Sequence, residues 1–344
     1  LEKHFGNTGY AGRMTGERKS NRPKTAAAER ELIAGIRGRA DQLLAGRRKS
    51  GILTLGIGDD CAVLRPRRAK EIVVTTDLSL ENVHFRRDWH PPQSVGHRCL
   101  ARGLSDLAAM GARPEAAFLS LALPSELTGE WMDGFFDGFM ALAKRYRVPL
   151  AGGDMAKSPT VVADIVLLGS VARGKALLRS RARAGDLIYV TGALGGSAAE
   201  LSTLERKPGD FAGKDKLRHP HLYPEPRLAA GRKLTRLATA AIDLSDGLST
   251  DLVHLCEESG LAAEIDADAL PVDARATLEQ ALHGGEDYEL LFTASSKTAV
   301  PGQLGGVSIN AIGRMKKRGK GPQVQLDRGG KRTTLAAGGW EHFR

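Results

Sequence analysis

The chain is poor in aromatic residues, which make up 5% of it, and it has only three cysteines. Cys61, Cys99 and Cys256 are scattered without metal-site spacing. That pattern excludes a disulfide framework and a cysteine-based zinc site, and it fits reduced thiols in a cytoplasmic protein. No apolar run approaches the roughly 18 residues of a membrane span, and the N-terminus has no signal-peptide apolar core, so no membrane partner is expected. The sequence contains no Gly-Lys-Ser/Thr phosphate loop and no defensible Ser-His-Asp arrangement. The net charge of +10 invites a nucleic-acid reading. The excess, however, lies in the first 50 residues and in the run from Arg314 to Lys320, while the rest is close to neutral. A solvated tail and loop accounts for that better than a nucleic-acid surface.

What the chain does have is a series of carboxylates beside glycines or at the ends of apolar runs. Gly56-Ile57-Gly58-Asp59-Asp60 is the first, and Thr75-Thr76-Asp77 follows an apolar strand. Leu104-Ser105-Asp106-Leu107, Gly152-Gly153-Asp154 and Asp243-Leu244-Ser245-Asp246-Gly247 complete the series. Carboxylates gathered without cations repel one another, and burying each costs several kcal/mol unless it is paired or metal-bound. If these converge, a hard divalent cation such as Mg²⁺ is the natural compensation, because it takes oxygen ligands and sits between carboxylates and phosphates.

In chain order, residues 1–28 read as a disordered basic extension and structure begins with a helix at Glu29. Short strands follow at 61–64 and 71–76, then a helix over 94–110. On that helix Asp106 falls in the apolar arc near its flank, apart from Arg98 and Arg102, and is expected to be partly buried. The alternative is that Ser105 or Asp106 caps a separate short helix. A strand at 114–124, a helix at 130–145 and strands at 148–151 and 160–171 follow, with the chain turning at Gly152-Gly153-Asp154. The polar loop 172–183 is a plausible boundary. Beyond it a strand leads to Gly195-Gly196-Ser197 at the start of a helix, a weak phosphate-binding signal. Asp246 could be only an N-cap, whereas Asp243, delivered by the strand 239–242, has no such explanation. The mixture of elements, without regular βαβ alternation, predicts an α+β protein.

Together with Val83-His84-Phe85, Val190-Thr191-Gly192, Gly284 to Phe292 and Trp340 to Phe343, these motifs resemble those of the thiamine-monophosphate kinases. They occur in that family's order over residues 29–344. The resemblance implies a two-domain fold like the aminoimidazole-ribotide synthetase superfamily. An N-terminal mixed sheet with helices over 29–172 would bind ATP and Mg²⁺ and form a homodimer, and a C-terminal α/β sandwich over 173–344 would complete the site. It implies transfer of phosphate from ATP to thiamine monophosphate with several Mg²⁺ ions, a K⁺ requirement being left open. Asp60, Thr75, Thr76, Asp77, Asp106, Asp154, Asp243 and Asp246 are then the implied metal ligands. Gly153, Asp154, Arg179 and Ser245 are the implied ATP contacts, and His84, Glu286 and Trp340 the thiamine-side contacts. Arg179 alone would read as a solvated loop arginine, His84 as a structural histidine and Trp340 as a packing residue. Gly103 and Met155 replace the family's usual Asn and Thr. The competing readings are another ATP-using member of the superfamily, such as a selenophosphate synthetase, and a non-enzymatic nucleotide- or RNA-binding protein.

Overall fold

The structure, a computed structural model, describes residues 29–44, 52–55, 57, 63–207 and 219–341. The expected basic extension, Asp60 and Cys61 lie outside these.

The N-terminal half begins with helix α1 (Glu29–Leu44) and a small ribbon of β1 (Leu53–Leu55) and β2 (Val63–Leu64). Its main sheet is built from β3 (Lys70–Leu80), β4 (Arg113–Leu123), β5 (Leu150–Lys157) and β6 (Val162–Ala172) in the order β3-β6-β4-β5. Helix α2 (Pro92–Ala109) and helix α3 (Glu130–Tyr146) cover one face. The C-terminal half carries β7 (Leu187–Thr191), α4 (Gly196–Arg206), α5 (Leu228–Leu234), β8 (Ala240–Asp243), α6 (Leu248–Ser259) and β9 (Leu261–Asp266). It closes with α7 (Leu278–His283), β10 (Leu290–Ala294), β11 (Gln303–Leu304), β12 (Val307–Lys317), β13 (Val324–Arg328) and β14 (Lys331–Thr334). The second sheet runs β14-β13-β9-β12-β7-β10-β8, with β11 paired to β12, and only the β13–β9 pairing in it is parallel. This is the α+β architecture the sequence predicts.

Two turns expected from the sequence are absent. Asp77 lies inside β3, which pairs with β6 without interruption from Lys70↔Ala172 to Leu80↔Val162. Asp154 likewise lies inside β5, which continues through both glycines as a parallel partner of β4. A full ladder of hydrogen bonds outweighs the poor strand propensity of Gly and Asp.

Helix α2 holds the two halves together. Leu100, Leu104, Leu107 and Ala108 are at most 1% exposed and join one core with Ile165 and Leu167 of β6 and with Leu228, Leu234 and Phe292 of the C-terminal half. Close approach is required on both sides. A Cβ on Gly103 would meet Leu167 Cδ1 at 2.8 Å, and one on Gly231 of α5 would meet the Ala108 carbonyl oxygen at 2.0 Å. Glycine at position 103 therefore lets α2 lie close against β6, and Met155 is half-buried against the same core.

Gly231→Ala should therefore lower stability by about 1–3 kcal/mol, read from the denaturant midpoint. Gly35→Ala, on α1 with nothing within 4 Å of its Cβ, should be neutral or stabilising by up to ~1 kcal/mol. Equal effects at the two positions would contradict this packing.

Candidate active site

A cleft of about 540 Å³ opens between the two halves, a size suited to a small ligand. One end is acidic, lined by Asp77, Asp106, Asp243 and Asp246 together with Arg102 and Ser245. The other is aromatic, lined by His84, Phe85, Trp89, His90 and His221; Glu286, Tyr288 and Trp340, the last beside Asp246, also line the cleft.

The acidic end is built from three elements. Strand β3 pleats so that Thr75 and Asp77 face α2, and the Thr75 hydroxyl donates to Asp106 Oδ2. Helix α2 is a single helix to Ala109, so Asp106 is not the cap of a separate one. Strand β8 ends at Asp243, whose Oδ2 accepts the Ser105 hydroxyl at 2.7 Å. Arg98, Arg102 and Asp106 follow one another at intervals of four residues, so they share one face of α2 and all reach inward. Apolar periodicity had set Asp106 apart from the two arginines; the structure corrects that. Arg98 is 4% exposed and donates to the His84 carbonyl at 3.1 Å and to Glu286 Oε1 at 2.7 Å.

Burial dominates the electrostatics. It pushes the Asp77 carboxyl up to about 7, with Asp106 adding to the rise and Arg102, 3.8 Å away, opposing it. Burial also raises Asp243 to about 7, reinforced by Asp106, and raises Asp106 itself. One buried and two half-buried carboxylates, Asp243 with Asp77 and Asp106, and a threonine hydroxyl beside them are an all-oxygen donor set suited to a hard divalent cation.

Asp246 lines the same end. Its alternative role as a helix cap does not hold: the N-cap of α6 is Gly247, and Asp251 Oδ2 accepts the Asp246 and Gly247 N–H groups at 3.1 and 3.0 Å. Asp246, Asp251 and His254 also have ligand atoms within 4.8 Å of one another. Sequence reasoning missed Asp251 because it looks like an ordinary first-turn helix acid.

At the aromatic end Glu286 and Tyr288 have left-handed backbones, with φ of 64° and 51°, which kinks the chain before β10. Burial alone would raise the Glu286 carboxyl, but Arg98, His221 and Arg102 together outweigh it and hold it below the usual carboxylate range. His90 Nε2 lies 3.0 Å from His221 Nε2, and His221 Nδ1 lies 3.0 Å from Ser197 Oγ. Burial lowers both imidazoles, His90 to about 3, so this wall is neutral at physiological pH. The Trp340 backbone N–H donates to the Asp246 carbonyl at 3.0 Å, and its half-exposed side chain lines the cleft. The other acids of Gly284–Phe292 serve the scaffold. Asp287 accepts the N–H groups of Gly195 and Ser197 at 2.6 and 3.1 Å, occupying the helix start that looked like a phosphate loop. Glu289 is gripped by Arg227 through two nitrogens.

Thr76, Gly153, Asp154 and Arg179 are not among the residues lining the cleft. Thr76 donates to Asp164 at 2.9 Å on the outward face of the N-terminal sheet, and Asp154 is exposed in the same row of that face. Arg179 sits exposed in a short turn and lowers the Asp106 and Asp243 carboxyls by charge alone.

The chain matches the N-terminal domain of AIR synthase related proteins over residues 58–171 and their C-terminal domain over residues 183–323. It is 40% identical to the thiamine-monophosphate kinase of Salmonella typhimurium over 303 residues, covering 84% of this chain and 91% of that one. Among solved structures, thiamine-monophosphate kinase from Stenotrophomonas maltophilia superposes with a TM-score of 0.73 at 37% identity, covering 83% of this chain and 95% of that one. AaThiL complexed with AMPPCP and TMP superposes with a TM-score of 0.72 at 30% identity, covering 93% of this chain and all of that one. The chain belongs to the thiamine-monophosphate kinases, within the AIR synthase related proteins.

The raised carboxyls give a signed pH dependence. Asp77 and Asp243 titrate near 7 when folded, against 3.8 for the ordinary group. Between those values the folded state binds more protons than the unfolded one, so their contribution destabilises the metal-free protein as pH rises. In chelator, Asp243→Asn should therefore gain Tm relative to the wild type as pH goes from about 4 to about 7, and Mg²⁺ should narrow the gap at the upper end. A gap independent of both pH and Mg²⁺ would contradict the cluster.

Proposed function

We propose that this chain transfers the γ-phosphoryl group of ATP to thiamine monophosphate, giving thiamine diphosphate and ADP. The observation that carries the reading is one cleft with a carboxylate cluster at one end and an aromatic, Glu286-bearing wall at the other. The first suits phosphates and their counter-ions, the second a flat cationic ring. The relative described with both AMPPCP and TMP bound adds an ATP analogue and the acceptor in one protein of the same fold.

The reaction is a direct in-line displacement. An ionised oxygen of the substrate phosphate forms the new bond to the γ-phosphorus while the bond to the β–γ bridging oxygen breaks and ADP leaves with that electron pair. No proton has to be removed from the attacking oxygen near neutral pH, so the site needs no strong general base, and no phosphoenzyme forms. Asp77, Asp106 and Asp243, with the Thr75 hydroxyl and Asp246, would hold Mg²⁺. Bound there, the cation supplies charge neutralisation for two anions that otherwise repel each other. Asp60 is a further proposed ligand, whereas Thr76 and Asp154, on the outward face of the sheet, would hold a cation separate from this cluster. Ser245, in the cleft lining, and Gly153 and Arg179, outside it, are the proposed ATP contacts. The chain's own groups bind and orient. Glu286, steadied by Arg98, faces the thiazolium. Trp340 offers a ring face, and the neutral His90–His221 pair keeps a second positive charge away from that cation.

A homodimer is part of the proposal. The outward face of the N-terminal sheet exposes Val74 and Leu78, at 62% and 50%, where a free sheet would normally be polar. The division of labour between residues 29–172 and 173–344 belongs to the same reading.

With γ-phosphate-labelled ATP, label should appear in thiamine diphosphate and none should remain on the protein. Asp106→Asn should reduce kcat by at least about 100-fold while leaving the fold intact. Labelled protein, or unaltered turnover in the variant, would overturn the mechanism. Leu78→Asp should convert the dimer to a monomer by light scattering, and an unchanged mass would reject this face as the interface.

A further inference from the structure

Arg102 has no place in the site assignment above, yet it stands at the junction of the two ends of the cleft. Its side chain is 15% exposed and lines the cleft. Its Nε and Nη1 atoms are buried and make no hydrogen bond among the described residues. Asp77 Oδ1 is 3.8 Å from Nε, too far for a hydrogen bond. Glu286 and Tyr288 also act on it electrostatically. Arg98, one turn earlier on the same helix face, differs in having its donors matched to carbonyls and to Glu286.

Buried guanidinium donors left without acceptors are costly, and such groups normally find a partner. Asp77 is close enough to attract the charge but does not accept these hydrogens. The missing partner must therefore reach the cleft from outside, carry negative charge, and offer oxygens to a planar fork. A phosphate does all three. The position narrows which phosphate. Glu286 and the aromatic wall hold the organic cation on one side of Arg102, and the carboxylates that meet the transferring group lie on the other. A phosphate lying between those two ends is the one already attached to the organic cation.

We propose that Arg102 binds the phosphate of the acceptor, thiamine monophosphate, and makes the site select the phosphorylated acceptor over unphosphorylated thiamine. This rests on the functional reading above. The alternative on the same geometry is an internal counter-ion for Asp77, which would act on both acceptor forms and on the carboxylates without distinguishing phosphate.

The test compares wild type, Arg102→Met and Arg102→Lys in steady-state turnover, with unphosphorylated thiamine as a competitive inhibitor. Wild-type turnover of thiamine monophosphate tests the functional reading by itself. Given that turnover, Arg102→Met should raise the KM for thiamine monophosphate by about 10- to 100-fold, the usual worth of a hydrogen bond to a charged group. The KM for ATP and the inhibition constant of thiamine should stay near wild type. Arg102→Lys keeps the charge but loses the fork, and should fall between the two. It also decides the matter if the methionine variant does not fold. Equal loss of affinity for thiamine and its monophosphate, or a change confined to ATP, would overturn the proposal.

Discussion

Three carboxylates from distant parts of the chain, one buried and two half-buried, converge at the C-terminal half of α2, and much else in the structure answers that fact. Asp77 comes from the middle of a strand, Asp106 from a helix, and Asp243 from the end of a strand in the other half of the molecule. Among the described residues none has a hydrogen-bonded cation. Burial and mutual repulsion drive Asp77 and Asp243 up to about 7. A fold does not keep such an arrangement for stability, since an apolar cluster of the same volume would serve better. It is a site charged in advance for positive ligands, and a kinase bringing two phosphate-bearing anions together needs that.

The rest of the architecture holds this cluster still. Helix α2 joins the two halves. Its apolar side is shared between the cores of both halves, so its polar side is fixed to within packing tolerance. Along that polar side Arg98, Arg102 and Asp106 descend from the aromatic end of the cleft to the acidic end. Each has a different partner: Glu286 and backbone carbonyls for the first, open cleft for the second, Thr75 for the third. A single helix face thus spaces the recognition of the organic cation and the handling of phosphate. Burial, reinforced by the nearby Arg98 charge, keeps the wall of His90 and His221 uncharged.

Much of this was legible in the sequence, and the misses have physical causes. The α+β class, the strands and the long helix followed from apolar periodicity. Asp77, Asp106, Asp243 and Asp246 stood out because acids beside apolar runs are costly to bury. Periodicity gave the wrong neighbours for Asp106, since an apolar arc says nothing about which charged residues sit one turn away; the spacing of four among Arg98, Arg102 and Asp106 did. The turns expected at Asp77 and Asp154 came from local propensity, which long-range strand pairing overrode. Asp251, Asp287 and Glu289 could not be sorted from the ligating acids by sequence, because capping a helix or pairing with Arg227 depends on residues far away in the chain. The His90–His221 contact joins positions 131 residues apart and leaves no local trace.

The central claim is that the cluster of Asp77, Asp106 and Asp243 exists to hold a divalent cation between the two phosphate-bearing substrates. Crystals soaked with Mn²⁺ and a non-hydrolysable ATP analogue test it through anomalous scattering. The account predicts a peak within coordination distance of all or most of these three carboxylates, at about 2.0–2.2 Å from their oxygens. A peak only at Asp246, Asp251 and His254, with the three carboxylates bare, would contradict it.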